Sequence, residues 1–153
     1  DDGFQRALRL LGQVREALNP ASEPLMRFLH TMIRVRDLDK AKAFYTLMGM
    51  EIIREKEYPA GKFTLVFLRF PGDAGGEIEL TWNWEREKDY EQGDAWGHVA
   101  FAVPDIYATC ERLRAQGVKI TREPGPMKHG TTVLAFLDDP DGHKIELIER
   151  KQG

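Results

Sequence analysis

The stretch HTMIRVRDL at residues 30–38 decides the fold of this chain, because HVAFAVPDI at residues 98–106 repeats its pattern. A glycine follows each stretch at the same distance: Gly49 lies 19 positions after the first histidine, and Gly117 lies 19 positions after the second. The two glycines begin a further match, GMEI against GVKI. Periods of this length are typical of a duplicated supersecondary unit, so we predict two modules of one kind.

Each repeat ends at a glutamate. Glu79, in IELTW, lies 30 positions after Gly49, and Glu146, in IELIE, lies 29 positions after Gly117. The polar positions that recur are therefore two histidines and two carboxylates, each within an otherwise apolar run. Buried charge has to be paired or bound to something. One metal ion held by all four side chains meets that requirement.

Length and composition favour one compact domain made of two modules. The chain has 153 residues, 42% of them hydrophobic, which is enough for a substantial core. We predict an N-terminal helical arm and linker at residues 1–24 and one domain at 25–153. Within that domain, module one covers about 25–90 and module two about 95–150.

Charge and hydropathy argue against several classes of partner. A net charge of -3 provides no basic excess for nucleic acid or for an anionic membrane. No apolar stretch approaches the roughly 20 residues of a bilayer span, and we expect no charged-then-apolar leader. The single cysteine, Cys110, cannot form an internal disulfide, so we expect a cytoplasmic protein.

The N-terminal arm has the spacing of an amphipathic helix over residues 4–18, which a linker from Pro20 to Pro24 follows. Its apolar stripe must be covered, either by the body of the same chain or by a second copy across a dimer. The residues of this stripe are Phe4, Leu8, Leu11, Val14 and Leu18.

Each module has the pattern of a βαβββ unit, which places the fold in the α+β class. Asp37 and Asp105 are predicted to cap the two module helices, and Gly49 and Gly117 to end them. The predicted elements are a strand at 28–35, a helix at 37–48 and strands at 50–56, 62–70 and 76–84, then a strand at 96–103, a helix at 105–116 and strands at 118–122, 131–137 and 143–149.

Alternation along the strands predicts which side chains share a face of each sheet. In the first module, His30 and Glu79 lie on the face opposite the apolar residues that pack under the helix. His98 and Glu146 have the same placement in the second module. Two such sheets that face one another would bring two imidazoles and two carboxylates to a common centre.

Two nitrogen and two oxygen donors suit a divalent transition metal. Four protein ligands on an octahedral ion leave two positions for water or substrate. Open positions of this kind distinguish a catalytic metal site from a structural one. The sequence therefore predicts a catalytic metal centre.

Five strings carry a resemblance to a known family: FLHTMIRVRDLDKAKAFY, IELTWNW, GHVAFAVPDIYATCERL, TREPGPMKHGTTVLAFLDDPDG and HKIELIE. Together they cover nearly everything from Phe28 to Glu149. On these strings the chain resembles the vicinal oxygen chelate superfamily and, within it, the glyoxalase I (lactoylglutathione lyase) family. The resemblance implies two βαβββ modules that form a cupped mixed sheet around a metal.

The resemblance also implies the activity: metal-dependent isomerisation of the methylglyoxal–glutathione hemithioacetal to S-lactoylglutathione, by proton transfer through an enediolate held at the metal. This reaction detoxifies methylglyoxal. It implies Glu146 as the main general base and Glu79 as its counterpart. The residues that match the family's metal ligands are His30, Glu79, His98 and Glu146.

Four further residues match positions that hold the glutathione part of the substrate. Arg34 and Asn83 match residues at the γ-glutamyl end, and strand alternation independently predicts both on the site face. Arg122 and Lys128 match basic residues near the glycyl carboxylate.

The resemblance extends to cofactor and assembly. We expect one divalent metal per site. Nickel is favoured because position 30 is a histidine and the loop at 71–76 is short, and zinc is the alternative. We also expect a homodimer whose sites combine the first module of one subunit with the second module of the other.

Two other functions remain open for this fold. An epimerase of the same superfamily that acts on an acyl-CoA would use similar ligands, although Arg34 and Asn83 favour glutathione. A non-catalytic small-molecule-binding protein generally lacks the metal set.

Two further predictions concern residues outside the site. We expect His143 to pack rather than bind metal. The segment FYTLMGM is one residue shorter than in family members, which predicts a changed last turn of the first module helix.

Overall fold

The computed structural model describes residues 2–18 and 25–151. The linker predicted from Pro20 to Pro24 lies outside the described residues. The elements are α1 (Asp2–Leu18), β1 (His30–Val35), α2 (Leu38–Leu47), β2 (Glu51–Tyr58), β3 (Phe63–Arg69), β4 (Glu77–Asn83), β5 (Val99–Val103), α3 (Ile106–Ala115), β6 (Ile120–Pro126), β7 (Val133–Asp138) and β8 (Lys144–Glu149).

The strands form two four-stranded mixed sheets, one per module. Their orders are β1-β4-β3-β2 and β5-β8-β7-β6, so both modules have the same topology. In each sheet the first and last strands of the module are parallel, and the remaining neighbours are antiparallel. The prediction of two βαβββ modules is confirmed.

The largest differences from the predicted strand boundaries lie in module two. The strand predicted at 96–103 begins only at Val99, and the ring of Trp96, ahead of it, packs edge-on against that of His143. The strand predicted at 118–122 extends to Pro126. Register shifts on both sides of Arg122 show that bulges carry this strand past its predicted end.

The two module helices match in length and in both caps. Asp37 and Asp105 each accept a hydrogen bond from the backbone amide three residues on, at 3.0 and 3.1 Å. Each helix has 10 residues, and Gly49 (φ 106°) and Gly117 (φ 86°) follow in the left-handed conformation that glycine tolerates best. α2 therefore ends as α3 does, and the change predicted at FYTLMGM relative to family members stays a prediction.

One apolar core lies between the helices and the sheets and joins the two modules. The rings of Phe70 and Phe101 meet across the module boundary at 4.9 Å between centroids. Cys110 is fully buried in this core, and burial raises the pKa of its thiol. The largest fully buried apolar side chains are Tyr45, Leu68, Leu80, Ile106, Leu113, Leu137, Ile145 and Leu147.

A buried carboxylate fastens module one to module two. Asp139 Oδ2 accepts a hydrogen bond from the hydroxyl of Tyr45 at 2.7 Å and lies 2.8 Å from His143 Nδ1. Asp139 Oδ1 accepts from the amides of Asp141 and His143 at 2.9 and 2.8 Å. Tyr45, Asp139 and His143 are all buried, so the arrangement fixes the two modules relative to each other.

The apolar stripe of α1 is not covered by the body of the chain. Its large apolar residues keep between 47% and 66% of their surface exposed: Phe4, Leu8, Leu10, Leu11 and Val14.

In the part of the chain that the structure describes, no helix has both the length and the apolar content needed to cross a membrane.

Candidate metal centre

The first histidine–glutamate pair lies on the sheet of module one. His30 opens β1, and Glu79 lies in β4 opposite Met32, two residues beyond the histidine. His30 Nε2 and Glu79 Oε2 are 2.7 Å apart. The carboxylate is nearly buried, with 12% of its side chain exposed, whereas the imidazole is 34% exposed. The free face of the imidazole therefore opens to the surface.

The second pair repeats this geometry on the sheet of module two. His98 lies just before β5, and Glu146 lies in β8 opposite Ala100, again two residues beyond the histidine. His98 Nε2 and Glu146 Oε2 are 3.2 Å apart, with 42% and 13% of the side chains exposed. The sequence repeat thus corresponds to the same strand register in both modules. In each sheet, the histidine and the glutamate are diagonal neighbours on one face and lie close enough to interact.

A phenylalanine stands beside each pair, and sequence reasoning missed both of them. Phe67 lies opposite Glu79, and its ring is edge-on to His30 at 5.5 Å. Phe136 lies opposite Glu146 and meets the second histidine at 5.4 Å. The signal that would have found them is strand register, since each is the cross-strand partner of a predicted glutamate ligand. Each ring packs against one side of its histidine–glutamate pair and shields that side from water.

The spacing of each pair fits two neighbouring ligands of one ion. Nitrogen and oxygen donors about 2.1 Å from a metal and at right angles to each other lie about 3.0 Å apart. The observed 2.7 and 3.2 Å lie on either side of that value. The donor chemistry and the spacing therefore suit a divalent cation at each pair.

Within one chain the two pairs do not merge into a single group. Among the described residues, only Asp139, Asp141 and His143 bring three possible ligand atoms within 4.8 Å of one another. The Asp139 carboxylate already has four hydrogen-bonding neighbours, so that cluster holds the turn together rather than presenting free donors. Each chain therefore presents two separate half-centres, which we define as His30 with Glu79 and His98 with Glu146.

The predicted γ-glutamyl residues lie near the first half-centre. Arg34 is exposed in β1, opposite Thr81, and forms no hydrogen bond or ion pair with the described residues. Asn83 ends β4 and is two residues from Thr81, so it lies on the same face. Its Nδ2 donates to the hydroxyl of Tyr90 at 2.9 Å. Sequence reasoning did not single out Tyr90, because the contact joins a strand end to a loop with no motif of its own.

The predicted glycyl-end residues differ in their surroundings. Arg122 lies opposite Phe136, and its guanidinium donates to the carbonyl oxygens of Gly125, Leu134 and Pro126 at 2.9, 2.7 and 3.0 Å. Two of its five N–H groups, on Nε and Nη2, are left for a ligand. Lys128 is exposed in the turn that follows β6.

A cavity of about 500 Å³ opens beside His30, and three arginines line it: Arg27, Arg54 and Arg69. The guanidinium of Arg54 lies over the ring of Phe67, 3.9 Å from its centroid, and pairs with Glu77 at 2.8 Å. Sequence reasoning did not single out these arginines because the bulge that directs Arg54 toward Phe67 has no sequence signature of its own. The carboxylates of Asp73 and Glu77 also line this cavity, so the first half-centre borders a cavity with charged groups of both signs.

Comparison with known proteins agrees with this architecture. The Glyoxalase/Bleomycin resistance protein/Dioxygenase superfamily model matches residues 27–147. The chain is 55% identical over 126 residues to a probable lactoylglutathione lyase from Synechocystis sp., an overlap of 81% of this chain and 95% of that protein.

Two solved structures are also similar. Glyoxalase I from Zea mays aligns with a TM-score of 0.77 and 44% identity over 82% of this chain, but the chain spans only 45% of the maize protein. The trypanothione-dependent glyoxalase I of Leishmania major aligns with a TM-score of 0.70 and 40% identity, over 81% of this chain and 86% of that one.

Proposed function

This chain belongs to the Glyoxalase/Bleomycin resistance protein/Dioxygenase superfamily, and we propose that within it the protein acts as a lactoylglutathione lyase. It converts the hemithioacetal of methylglyoxal and glutathione into S-lactoylglutathione. The observation that carries this proposal is the pair of matched half-centres, found in a chain 55% identical to a probable enzyme of that kind. Retention of all four donors disfavours a purely sequestering role.

The complete centre is assembled from two copies of the chain. Each copy contributes the His30 and Glu79 half-centre to one site and the His98 and Glu146 half-centre to the other. The support is that each pair faces outward on its own sheet and that no three of these four side chains form a group within the described chain. A homodimer with two equivalent sites follows.

All four donors would hold one divalent cation, which supplies Lewis-acid stabilisation of the negative charge that develops on the substrate oxygens. Nickel is favoured over zinc because two imidazoles and two carboxylates with open positions suit an octahedral ion, whereas zinc is most often four-coordinate. The histidine at position 30 supports the same choice.

The chain's own carboxylates move the proton. Glu146 removes the hydrogen from the hemithioacetal carbon, and a proton returns to the neighbouring carbon that was the ketone, so atoms balance without any redox partner. Glu79 acts as its counterpart for the returning proton. Phe67 and Phe136 exclude water from the carboxylates and so protect the intermediate from losing its thiol.

Four basic or amide side chains bind the glutathione part. Arg34 and Asn83 hold the γ-glutamyl end, and Arg122 and Lys128 lie toward the glycyl carboxylate. The open guanidinium of Arg34 supports the first assignment. The two unused N–H groups of Arg122 support the second.

The test is an ultraviolet assay for thioester formation from methylglyoxal and glutathione, with metal-free protein titrated with Ni²⁺ or Zn²⁺. We expect turnover with nickel and little with zinc. Equal turnover with both metals would contradict the choice of nickel. No thioester with any divalent metal would overturn the proposed activity.

The thiol and the location are finer parts of the same proposal. Glutathione is favoured by the Synechocystis relative, whereas the Leishmania major enzyme is trypanothione-dependent. The same assay with glutathione and with trypanothione distinguishes the two thiols. A cytoplasmic location is supported by the single, buried cysteine.

A further inference from the structure

Asn83 and Tyr90 form a contact that the reaction described above does not use. The Nδ2 of Asn83 donates to the Tyr90 hydroxyl at 2.9 Å, and both residues are half-buried. Asn83 is the last residue of β4, whereas Tyr90 lies in the segment between the two modules. The contact therefore joins the end of a sheet strand to the connection that follows it.

Tyr90 is itself held in place by Arg86. The guanidinium of Arg86 lies over the tyrosine ring, 4.4 Å from its centroid. Arg86 also donates to the carbonyl oxygens of Lys88 and Asp89 at 2.7 and 3.0 Å. Arg36 donates to the carbonyl oxygen of Arg86 at 2.7 Å. The segment is thus a braced loop that presents the tyrosine hydroxyl at a fixed point.

The contact decides which end of the Asn83 amide is free. Its Nδ2 is engaged by Tyr90, while its Oδ1 has no hydrogen-bond partner among the described residues. A free amide oxygen accepts hydrogen bonds and cannot donate them. It therefore suits a cationic donor such as an ammonium group.

Arg34 offers the opposite chemistry on the same face. A guanidinium only donates, so it suits a carboxylate. Arg34 lies opposite Thr81, which is two residues before Asn83 along β4. Together Arg34 and Asn83 match the carboxylate and the ammonium of an α-amino acid head group, which is what the γ-glutamyl end carries.

We propose that Tyr90 is a positioning residue that fixes the Asn83 amide so that Oδ1 accepts from the ammonium of the γ-glutamyl group. This inference rests on the proposed function and adds the source of its specificity for that ammonium. A tyrosine that only braced the loop would affect stability without changing the preference between thiols.

The experiment compares two thiols in the metal-loaded, full-length protein. One is glutathione, and the other is glutaryl-cysteinylglycine, in which a hydrogen replaces the ammonium group. We expect the wild type to show a KM for the hemithioacetal of glutathione about 10-fold below that for the deaminated analogue, because a hydrogen bond to a charged group is worth about one factor of ten or more. Tyr90→Phe should abolish this difference while leaving kcat unchanged.

Three further variants sharpen the result. Asn83→Ala should lose the same preference, and adding Tyr90→Phe to it should change nothing further, because the tyrosine acts through the amide. Tyr107→Phe, at an exposed tyrosine of α3, is the matched control and should keep the wild-type preference. Calorimetric binding of glutathione and of its deaminated analogue gives the same comparison without turnover.

The outcomes separate this inference from the proposed function. A wild type that turns over glutathione hemithioacetal without preferring it to the analogue overturns the ammonium assignment. A Tyr90→Phe variant that keeps the full preference, or loses kcat instead, overturns the positioning role. Absence of turnover in the wild type counts against the proposed function, and binding calorimetry then still tests the role of Tyr90.

Discussion

The two modules share their histidine, glutamate and phenylalanine but differ in the arginine behind the phenylalanine. In module one, Arg54 lies over Phe67 and pairs with a carboxylate at the surface. In module two, Arg122 lies opposite Phe136, but its guanidinium turns to the backbone carbonyls of a bulge. Both arginines follow a register shift, so their backbone positions are equivalent and only their partners differ.

This difference shows which parts of a duplicated unit stay fixed. The proposed metal centre requires every donor at a set spacing, which accounts for the matching histidines, glutamates and phenylalanines of the two modules. Neither arginine is among the four proposed metal donors, so each can contact different groups in its own module. Module one has a charged cavity wall, whereas module two has a stabilised bulge.

The helices show a second difference. Counting back four positions from Gly49 and Gly117 gives Tyr45 in α2 and Leu113 in α3. Tyr45 reaches across to the buried Asp139 of the other module, while Leu113 packs within the core. The hydrogen bond from Tyr45 to Asp139 therefore joins the helix of module one to module two, and the equivalent position of α3 makes no such bond.

The largest expected effect tests whether the glutamates of the two half-centres contribute equally to proton transfer. Glu146→Gln should lower kcat by about 10²- to 10⁴-fold, the range for loss of a placed general base, and Glu79→Gln should lower it less. The measurement is kcat of both variants in metal-loaded protein, with metal content determined in parallel. Equal losses would show that the modules share the proton transfer, and near-normal turnover of Glu146→Gln would remove it as the base.

The next largest effect tests the hydrogen bond by which Tyr45 of module one reaches Asp139 of module two. Tyr45→Phe leaves the buried Asp139 carboxylate without one of its donors, so we expect a loss of about 1.5–3 kcal/mol in the free energy of unfolding. Asp73→Ala is the control, since Asp73 lies in the corresponding exposed loop of module one and should cost under about 0.5 kcal/mol. Urea denaturation measures both, and equal losses would show that the two loops contribute alike.

A smaller effect tests the divergence of the arginines. Arg122→Met removes hydrogen bonds to bulge carbonyls, and we expect it to cost about 1 kcal/mol of stability. Arg54→Met removes an exposed ion pair and should cost less. Denaturant midpoints decide the order, and a larger loss for Arg54→Met would reverse the roles we assign to them.

The smallest expected effect is a pH dependence at the turn of module two. Burial raises the pKa of the Asp141 carboxyl, although the Arg36 amide bonded to it acts in the opposite direction. A raised pKa in the folded state means that ionisation destabilises the fold, so stability falls as pH rises through that pKa. Asp141→Asn cannot ionise, so its Tm relative to wild type should rise between about pH 4 and 7. A difference in Tm that stays constant across this range would contradict the prediction.

Strand alternation and helix caps made the fold predictable from sequence. Asp37 and Gly49 mark one helix, Asp105 and Gly117 mark the other, and each signal acts locally. The placement of His30 and Glu79 on one face of the sheet was predictable for the same reason. What spacing along the chain could not predict was long-range geometry.

Three features show this limit. Tyr45 meets Asp139 from 94 positions away, and no local pattern announces that contact. The free end of the Asn83 amide depends on a loop braced by stacking, where the sequence shows only a run of charged residues. Strand alternation also predicted four donors that share the site faces of two sheets, but it could not predict that the two pairs stay apart within one chain, because that depends on how whole sheets are oriented.

The burial of Cys110 has a chemical consequence for a protein proposed to handle an electrophilic aldehyde. Methylglyoxal adds to thiols through the thiolate, and this thiol is both sealed in the core and harder to ionise. The only thiol of the chain is therefore shielded from reaction with the aldehyde. In the proposed reaction the aldehyde reaches the site as a hemithioacetal, whose sulfur comes from glutathione and not from the protein.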